Sequence, residues 1–484
     1  METKKIGRDI QKIVKGQVFW DKQMLDLYSV DSSSYLLRPR VVVFPKDEHD
    51  IVKILKYAAK SKISVTPRGA GTGLVGSALG NGIILDLRHF DKIKIGSNYV
   101  EAGSGVFKGN LDKELEKRGR FFPPNPSIGP YCTVGGMIAT NASGSHSLKY
   151  GSTIDNLLGI RIIASNGNIV QLPSNSQFAN NVFRIIKSSE YKKFPSVSKN
   201  SCGYRVDKIA SKSDLQKIIA GSEGTLGVIV SAKLKTLPIP KQLLLVILAY
   251  ETVRQAAIDS AKIVNLKPSA LEIVDYNIIK HIKARFPKYA NYLLFVEFDS
   301  DVKKSKINLQ KIISSSRIIN TLTKKDEVKK WWGFRNAALS YSLRSITTKE
   351  SMPTVIEDAV VPIGKLVSLV DIIEKISKKY KIKFVLYGHA GNGNLHIRPI
   401  LKRKNKSLIK KISQEFFYQV IKTGGCITGE HGDGLARSEF VKLQYGNDTY
   451  SVFNKIKNEF DPKNILNRGK IITTESTITK NLRV

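Results

Sequence analysis

Pro67-Arg68-Gly69-Ala70-Gly71-Thr72-Gly73-Leu74-Val75-Gly76-Ser77 is the stretch on which the reading of this chain turns. Its glycines and small residues lie between two apolar runs, Ile63 to Thr66 and Ile83 to Leu87. Glycine lets successive backbone N–H groups aim at one point and lets a bulky anion approach the chain closely, which suits a phosphate. Gly71-x-Gly73-x-x-Gly76 also matches the dinucleotide fingerprint, but a Rossmann unit needs a helix straight after the glycines. Only Ser77 to Gly82 separate the last glycine from the next strand, too few for a crossover helix. The spacing therefore predicts a phosphate-cradling loop between two strands.

Two further stretches point to a ligand larger than a phosphate. Pro123-Pro124-Asn125-Pro126-Ser127 leads into Thr133-Val134-Gly135-Gly136-Met137-Ile138-Ala139-Thr140-Asn141-Ala142-Ser143-Gly144, and Gly221-Ser222-Glu223-Gly224-Thr225-Leu226-Gly227 follows. Any one of them reads equally well as a tight turn. Three, spread over about 160 residues, fit a flat, extended cofactor that needs close backbone approach at several places.

Together these segments resemble the flavin domain of the vanillyl-alcohol oxidase and p-cresol methylhydroxylase (PCMH) flavoprotein superfamily. Within it, they are similar to the group of the glycolate oxidase flavin subunit, D-lactate dehydrogenase and D-2-hydroxyglutarate dehydrogenase. The resemblance runs from about Tyr35 to Lys470, nearly the whole chain. It implies FAD, with the first loop around the pyrophosphate. Some superfamily members tether the flavin through a His in or near this loop; Arg68-Gly69-Ala70-Gly71-Thr72 holds neither His nor Cys, so non-covalent FAD is implied. The expected contacts are Pro67 to Gly73, Gly76 and Ser77 in the first loop. Pro126, Ser127, Thr133, Gly135, Gly136, Asn141 and Gly144 follow, then Tyr150 and Gly151, and finally Glu223, Gly224 and Gly227. Asn467 stands where relatives approach the flavin.

A chain of 484 residues has ample length for two to four domains with buried cores. The longest apolar run, Leu243 to Tyr250, is well short of a membrane span. Met1-Glu2-Thr3-Lys4-Lys5 lacks the apolar core of a signal peptide, so a cytoplasmic protein is expected. Cys132, Cys202 and Cys426 form no CxxC, which argues against an iron–sulfur cluster in this chain and against a disulfide framework. Each reads as a small buried hydrophobe. Electrons taken by a flavin must then leave to a quinone, a cytochrome or a partner protein, such as an iron–sulfur subunit.

The formal charge of +37, from 78 basic and 41 acidic side chains, raises nucleic-acid binding as a rival reading. The basic residues are dispersed, however, with local clusters at Lys402-Arg403-Lys404-Asn405-Lys406 and Lys375 to Lys383, and no binding module is legible. Nucleic acid is not the expected partner. A solvated lysine-rich surface accounts for the charge; attraction to an acidic electron-transfer partner, or peripheral contact with an anionic membrane at its inner face, is the alternative.

Patterning along the chain predicts a helical lead-in over 1–30 and an FAD-binding domain over 31–240. A substrate or cap domain follows over 241–425, then a C-terminal segment, 426–484, returning to the flavin. Pro238-Ile239-Pro240 marks the boundary between the two larger units. Val41 to Phe44, Ile63 to Thr66, Ile83 to Leu87 and Tyr99 to Gly103 read as strands, with helices over Glu48 to Lys60 and Asn110 to Arg118. Leu157 to Ala164 and Asn168 to Leu172 flank a turn at Asn166-Gly167. Helix and antiparallel strand pairs after residue 240 suit an α+β unit. The fold class expected is α+β: a two-subdomain PCMH-type FAD-binding domain plus a ferredoxin-like antiparallel substrate (cap) domain.

Phe384 to His389 and Leu395 to Arg398 read as two strands joined by Ala390-Gly391-Asn392-Gly393-Asn394, a hairpin that brings His389 and His396 together. Downstream, Gly429-Glu430-His431-Gly432-Asp433-Gly434 sets a carboxylate beside an imidazole in a glycine-rich loop. Two imidazoles and a carboxylate suit a divalent metal with positions left open, Zn or Mn, acting as a Lewis acid on a substrate hydroxyl. His431 would be the base. A structural polar cluster is the alternative. The resemblance implies His389, His396 and Glu430 as metal ligands and His431 as base, with Asn392 where the group commonly has Asp. It also implies that Arg335, in Trp331-Trp332-Gly333-Phe334-Arg335, grips the substrate carboxylate, which a planar guanidinium does bidentately. Glu357-Asp358-Ala359-Val360-Val361-Pro362 matches the group's acidic, apolar, proline pattern, and Arg468 replaces its usual proline. The activity implied is oxidation of a small 2-hydroxy acid, D-lactate or glycolate, to the 2-oxo acid by hydride transfer to flavin N5. A synthase of the alkyl-glycerone-phosphate type on the same scaffold is the alternative.

Overall fold

In the computed structural model, residues 2–282, 286–344, 346–402 and 405–483 are described. Arg403 and Lys404 of the basic cluster lie outside them. The first sheet has four strands in the order Gln17–Phe19, Val41–Phe44, Ile83–Asp86, Val65–Arg68, the last three mutually parallel. Val41, Val42, Val43, Ile83, Ile84 and Leu85 are fully buried, the continuous apolar pattern of parallel strands covered on both faces. Helix Glu48–Ser61 makes the first crossover. Asp47 caps its start by accepting from the Asp50 N–H, and Lys62 ends it in the left-handed region at φ 56°. The second crossover, residues 69–82, holds no helix: the glycine loop itself joins two parallel neighbours.

The lead-in is not wholly helical. Helices Glu2–Ile13 and Lys22–Leu27 are separated by strand Gln17–Phe19, which joins the first sheet. Asp50 turns the chain there, accepting from the N–H groups of Lys15 at 2.9 Å and Gly16 at 2.8 Å.

An antiparallel sheet of five strands follows, ordered Ile93–Ile95, Tyr99–Gly103, Val228–Lys235, Leu157–Ile163, Ile169–Leu172. Helix Val134–Thr140 lies beside it, capped by the Thr133 hydroxyl on the Gly136 N–H. The short strand Leu237–Pro238 pairs with Arg120–Phe121, and the chain then enters the large sheet at Leu244.

That sheet begins strand–helix–strand–strand–helix–strand, the ferredoxin-like order. The elements are Leu244–Tyr250, Val253–Ile263, Ala270–Asp275, Tyr292–Phe298, Val302–Ile312 and Ile318–Leu322. Lys383–His389 and Asn394–Lys402 extend it beside Ala270–Asp275, and all its pairings are antiparallel. Helices Val253–Ile263 and Leu366–Tyr380 pack together on one face. After helix Lys406–Lys422 the chain runs back through residues 424–434, where Cys426 bridges Val360, to helix Val441–Phe460. Leu466 then bridges Val65 of the first sheet. Among the described residues no helix is long and apolar enough to cross a membrane.

Candidate active site

A cavity lies between the first two sheets and the large sheet. Pro67 to Gly73 and Ser77 line one end, with Pro126, Ser127, Thr133, Gly135, Gly136 and Gly144 along the wall and Glu223, Gly224 and Gly227 opposite. The three small-residue stretches therefore converge on one space. A Cβ at Gly73 would meet only the Ser77 hydroxyl, at 3.5 Å, and otherwise project into the cavity; Gly71 has φ +67°, which favours glycine. This space, walled largely by backbone and small residues, fits FAD.

Five expected contacts do not line it. Gly76 packs against Leu435. Asn141 is a helix C-cap whose amide bonds the Asn200 carbonyl and the Ile154 N–H. Tyr150 bonds Asp299, and Gly151 sits against Asp155. Asn467 is buried behind the loop, donating to the carbonyls of Ser77 at 2.8 Å and Glu223 at 2.6 Å while accepting from Thr66. A buried amide that satisfies backbone carbonyls braces the wall instead of facing the ligand. Cys132, read as a plain hydrophobe, does line the cavity, its sulfur 3.6 Å from the Thr72 hydroxyl.

At the other end the cavity meets Arg335, Tyr387, His389, His396, Glu430 and His431. The two histidines are not directly opposite. His396 pairs with Tyr387 and His389 with Asn394, so the imidazoles share a face diagonally, with Nε2 atoms 3.3 Å apart. Glu430 Oε1 is 2.8 Å from His389 Nε2 and 3.3 Å from His396 Nε2. Three donor atoms so spaced can meet on one small cation. The Nδ1 of His389 is taken by Glu272, at 2.8 Å, which directs Nε2 at the cluster. Burial pushes the His396 imidazole down to about 4, keeping it neutral as a ligand must be. The residues present thus fit a divalent metal.

Asp358 also lies close, and the ligand atoms of Asp358, His396, Glu430 and His431 fall within 4.8 Å of one another. Its Oδ2, however, already accepts from the Thr428 hydroxyl at 2.6 Å and the N–H groups of Glu430 and His431 at 2.9 and 2.8 Å. Asn394 donates to Oδ1. Asp358 shapes the Glu430–His431 turn, and does so from a backbone at φ 76° that an L residue rarely adopts.

His431 stacks on His396 with ring centroids 4.8 Å apart, and its Nδ1 is 2.9 Å from Glu357 Oε1. Burial alone would lower His431, but Asp358, Glu357 and Glu430 outweigh it and raise its pKa above the usual imidazole value. Burial would raise Glu357; Arg398, His431 and Arg437 instead hold it well below the ordinary carboxylate range. Arg335 is buried in the last turn of helix Lys325–Asn336 and bonds Glu272 Oε2 through Nε at 2.7 Å. Asn392, where Asp was expected, donates to the Ser198 hydroxyl at 3.0 Å and accepts from Ser147 at 3.2 Å.

Sequence reasoning passed over Glu272 and Lys199 and gave Glu357 and Asp358 no role. Glu272 carried one signal, a charge flanked by apolar residues in the interior of strand Ala270–Asp275. Lys199, in an irregular segment, carried none.

Residues 39–173 match an FAD binding domain and residues 239–471 match the FAD linked oxidases, C-terminal domain. The glycolate oxidase subunit GlcD of Bacillus subtilis is 28% identical, the alignment covering 98% of each chain. A D-lactate dehydrogenase of Anaerostipes hadrus is 29% identical over 90% of each. A D-2-hydroxyglutarate dehydrogenase of Pseudomonas putida is 29% identical over 95% of this chain but 51% of its own length, so the chain spans about half of that relative. Among solved structures, alkyldihydroxyacetonephosphate synthase superposes with a TM-score of 0.68 at 18% identity, covering 96% of this chain and 86% of that one, a likeness of fold.

Proposed function

The chain belongs to the FAD-linked oxidases, in the group of flavin-dependent 2-hydroxy acid dehydrogenases and oxidases, and from that membership we propose that it oxidises a small monocarboxylic 2-hydroxy acid, D-lactate or glycolate, to the 2-oxo acid. The observation that carries this proposal is that Arg335, His389, His396, Glu430 and His431 all face the end of the cavity whose other walls suit FAD.

When bound, FAD supplies the two-electron acceptor for the hydrogen on the α-carbon. A divalent metal held by His389, His396 and Glu430 would supply Lewis acidity toward the substrate hydroxyl. His431 takes the hydroxyl proton on Nε2, since Nδ1 is engaged by Glu357. Glu357 stabilises the imidazolium that forms, and Arg398 and Arg437, both near Glu357, keep that carboxylate ionised. Arg335 holds the substrate carboxylate, with its own orientation fixed by Glu272.

Electrons then pass to a quinone, a cytochrome or a partner protein. The described cysteines are free and far apart in sequence, and they offer no cluster motif. Anaerobic addition of D-lactate, glycolate and D-2-hydroxyglutarate to the purified yellow protein tests the proposal. Loss of flavin absorbance with one of the first two supports it; a protein reduced by none of them, or purified without colour, overturns it.

A further inference from the structure

The two oxygens of Glu430 have different surroundings. Oε1 faces the imidazoles of His389 and His396. Oε2 turns toward the cofactor side and accepts from Lys199 Nζ at 2.9 Å, the Ser143 hydroxyl at 2.5 Å and the Gly144 N–H at 2.9 Å. Three donors, one of them an ammonium, saturate a single carboxylate oxygen. The Lys199 side chain is 0% exposed, and among the described residues Glu430 is its ion-pair partner. An ammonium so enclosed is costly unless its charge is put to use.

Resting on the assignment of His389, His396 and Glu430 as a cation site, we propose that Lys199 is a positioning residue that makes Glu430 a one-oxygen ligand. With Ser143 and Gly144 it consumes Oε2, so only Oε1 remains for a cation. Two imidazoles and one carboxylate oxygen suit Zn²⁺ or Mn²⁺ and disfavour Ca²⁺, which takes bidentate carboxylates and many oxygens. The clamp also joins two parts of the molecule. Ser143 and Gly144 line the cofactor cavity, Ser198 beside Lys199 donates to the Asn392 carbonyl, and Asn392 lies in the histidine hairpin. A side chain on the cofactor side thereby fixes the metal-side geometry of a ligand on the C-terminal segment.

The test uses the FAD-loaded protein, stripped with chelator and titrated with Mn²⁺, with free Mn²⁺ read by electron paramagnetic resonance. Lys199→Met keeps the length of the side chain and removes its charge. It is expected to weaken Mn²⁺ binding by about 10–100-fold while flavin content stays at the wild-type level. Lys199→Arg, which keeps the charge but not the position, should fall between the two. Ser143→Ala, which leaves the cation in place, should cost less than Lys199→Met. Mn²⁺ affinity equal to wild type in Lys199→Met overturns the proposal. If that variant does not fold, Lys199→Arg carries the test, and wild-type affinity there overturns it. A wild-type protein that binds no Mn²⁺ or Zn²⁺ overturns the cation site itself, a failure distinct from that of Lys199.

Discussion

Arg335 and Glu272 are locked together inside the large sheet: Nε of the guanidinium lies 2.7 Å from Oε2 of the carboxylate, and both side chains are almost fully buried. The other oxygen of Glu272 holds His389, so one buried carboxylate orients both the group proposed for the substrate and a ligand proposed for the metal. With one edge of its fork committed to Glu272, Arg335 keeps a second edge for the substrate carboxylate. Arg335→Lys retains the charge and loses the fork. A hydrogen bond to a charged group contributes about 1.5–3 kcal/mol, so half-saturation should require roughly 10–100-fold more 2-hydroxy acid. The limiting rate of flavin reduction should fall much less. Stopped-flow reduction across substrate concentration separates the two; unchanged half-saturation would remove Arg335 from the substrate site.

The pH dependence should report His431. A general base works deprotonated, so flavin reduction falls as pH drops through its pKa. Burial lowers that pKa and the facing carboxylates Asp358, Glu357 and Glu430 raise it, so the position of the acid limb depends on these anions. Glu357→Gln deletes one of the anions that raise it, and the limb should move to lower pH. Reduction rates measured from acid to neutral pH check this; a limb that stays in place belongs to another group.

How much of this was legible depended on whether chemistry followed local pattern. The glycine loop was readable because its spacing to Ile83 excluded a helix, and residues 69–82 indeed cross without one. His389 and His396 flank a hairpin connection, Ala390 to Gly393, that is legible in the string, and Glu430 and His431 lie in a glycine-rich turn between Gly429 and Gly432. Lys199 and Glu272 were hidden, since each meets its partner from 231 and 117 residues away along the chain. Asn141 and Asn467 misled in the opposite sense. Polar residues in small-residue segments read as ligand contacts, but here they satisfy backbone carbonyls behind the wall.

FAD should be held without a covalent bond. The first loop has no His or Cys to carry such a link, but Cys132 lines the same cavity. Burial pushes its thiol up, leaving it protonated and a poor nucleophile. Acid precipitation should release the yellow colour into the supernatant. Colour retained in the pellet would contradict this, and loss of that retention in Cys132→Ala would locate the link.

The roles of His431 and His396 should separate cleanly, although the rings stack on each other. His431→Ala removes the proton acceptor and leaves His389, His396 and Glu430 in place. Loss of a general base costs about 10²–10⁴-fold, so flavin reduction should slow by that order while metal content stays near wild type. His396 is buried on strand Asn394–Lys402 with Nε2 turned to His389 and Glu430. His396→Ala removes one of three donors and should lose metal, with added metal restoring the rate only in part, because two remaining ligands bind weakly. Metal analysis and stopped-flow reduction on the same preparations distinguish the two failures. If His431→Ala reduced its flavin as fast as wild type, the proton would have to go elsewhere. Asp358 is a poor substitute, since hydrogen-bond donors already occupy both of its oxygens.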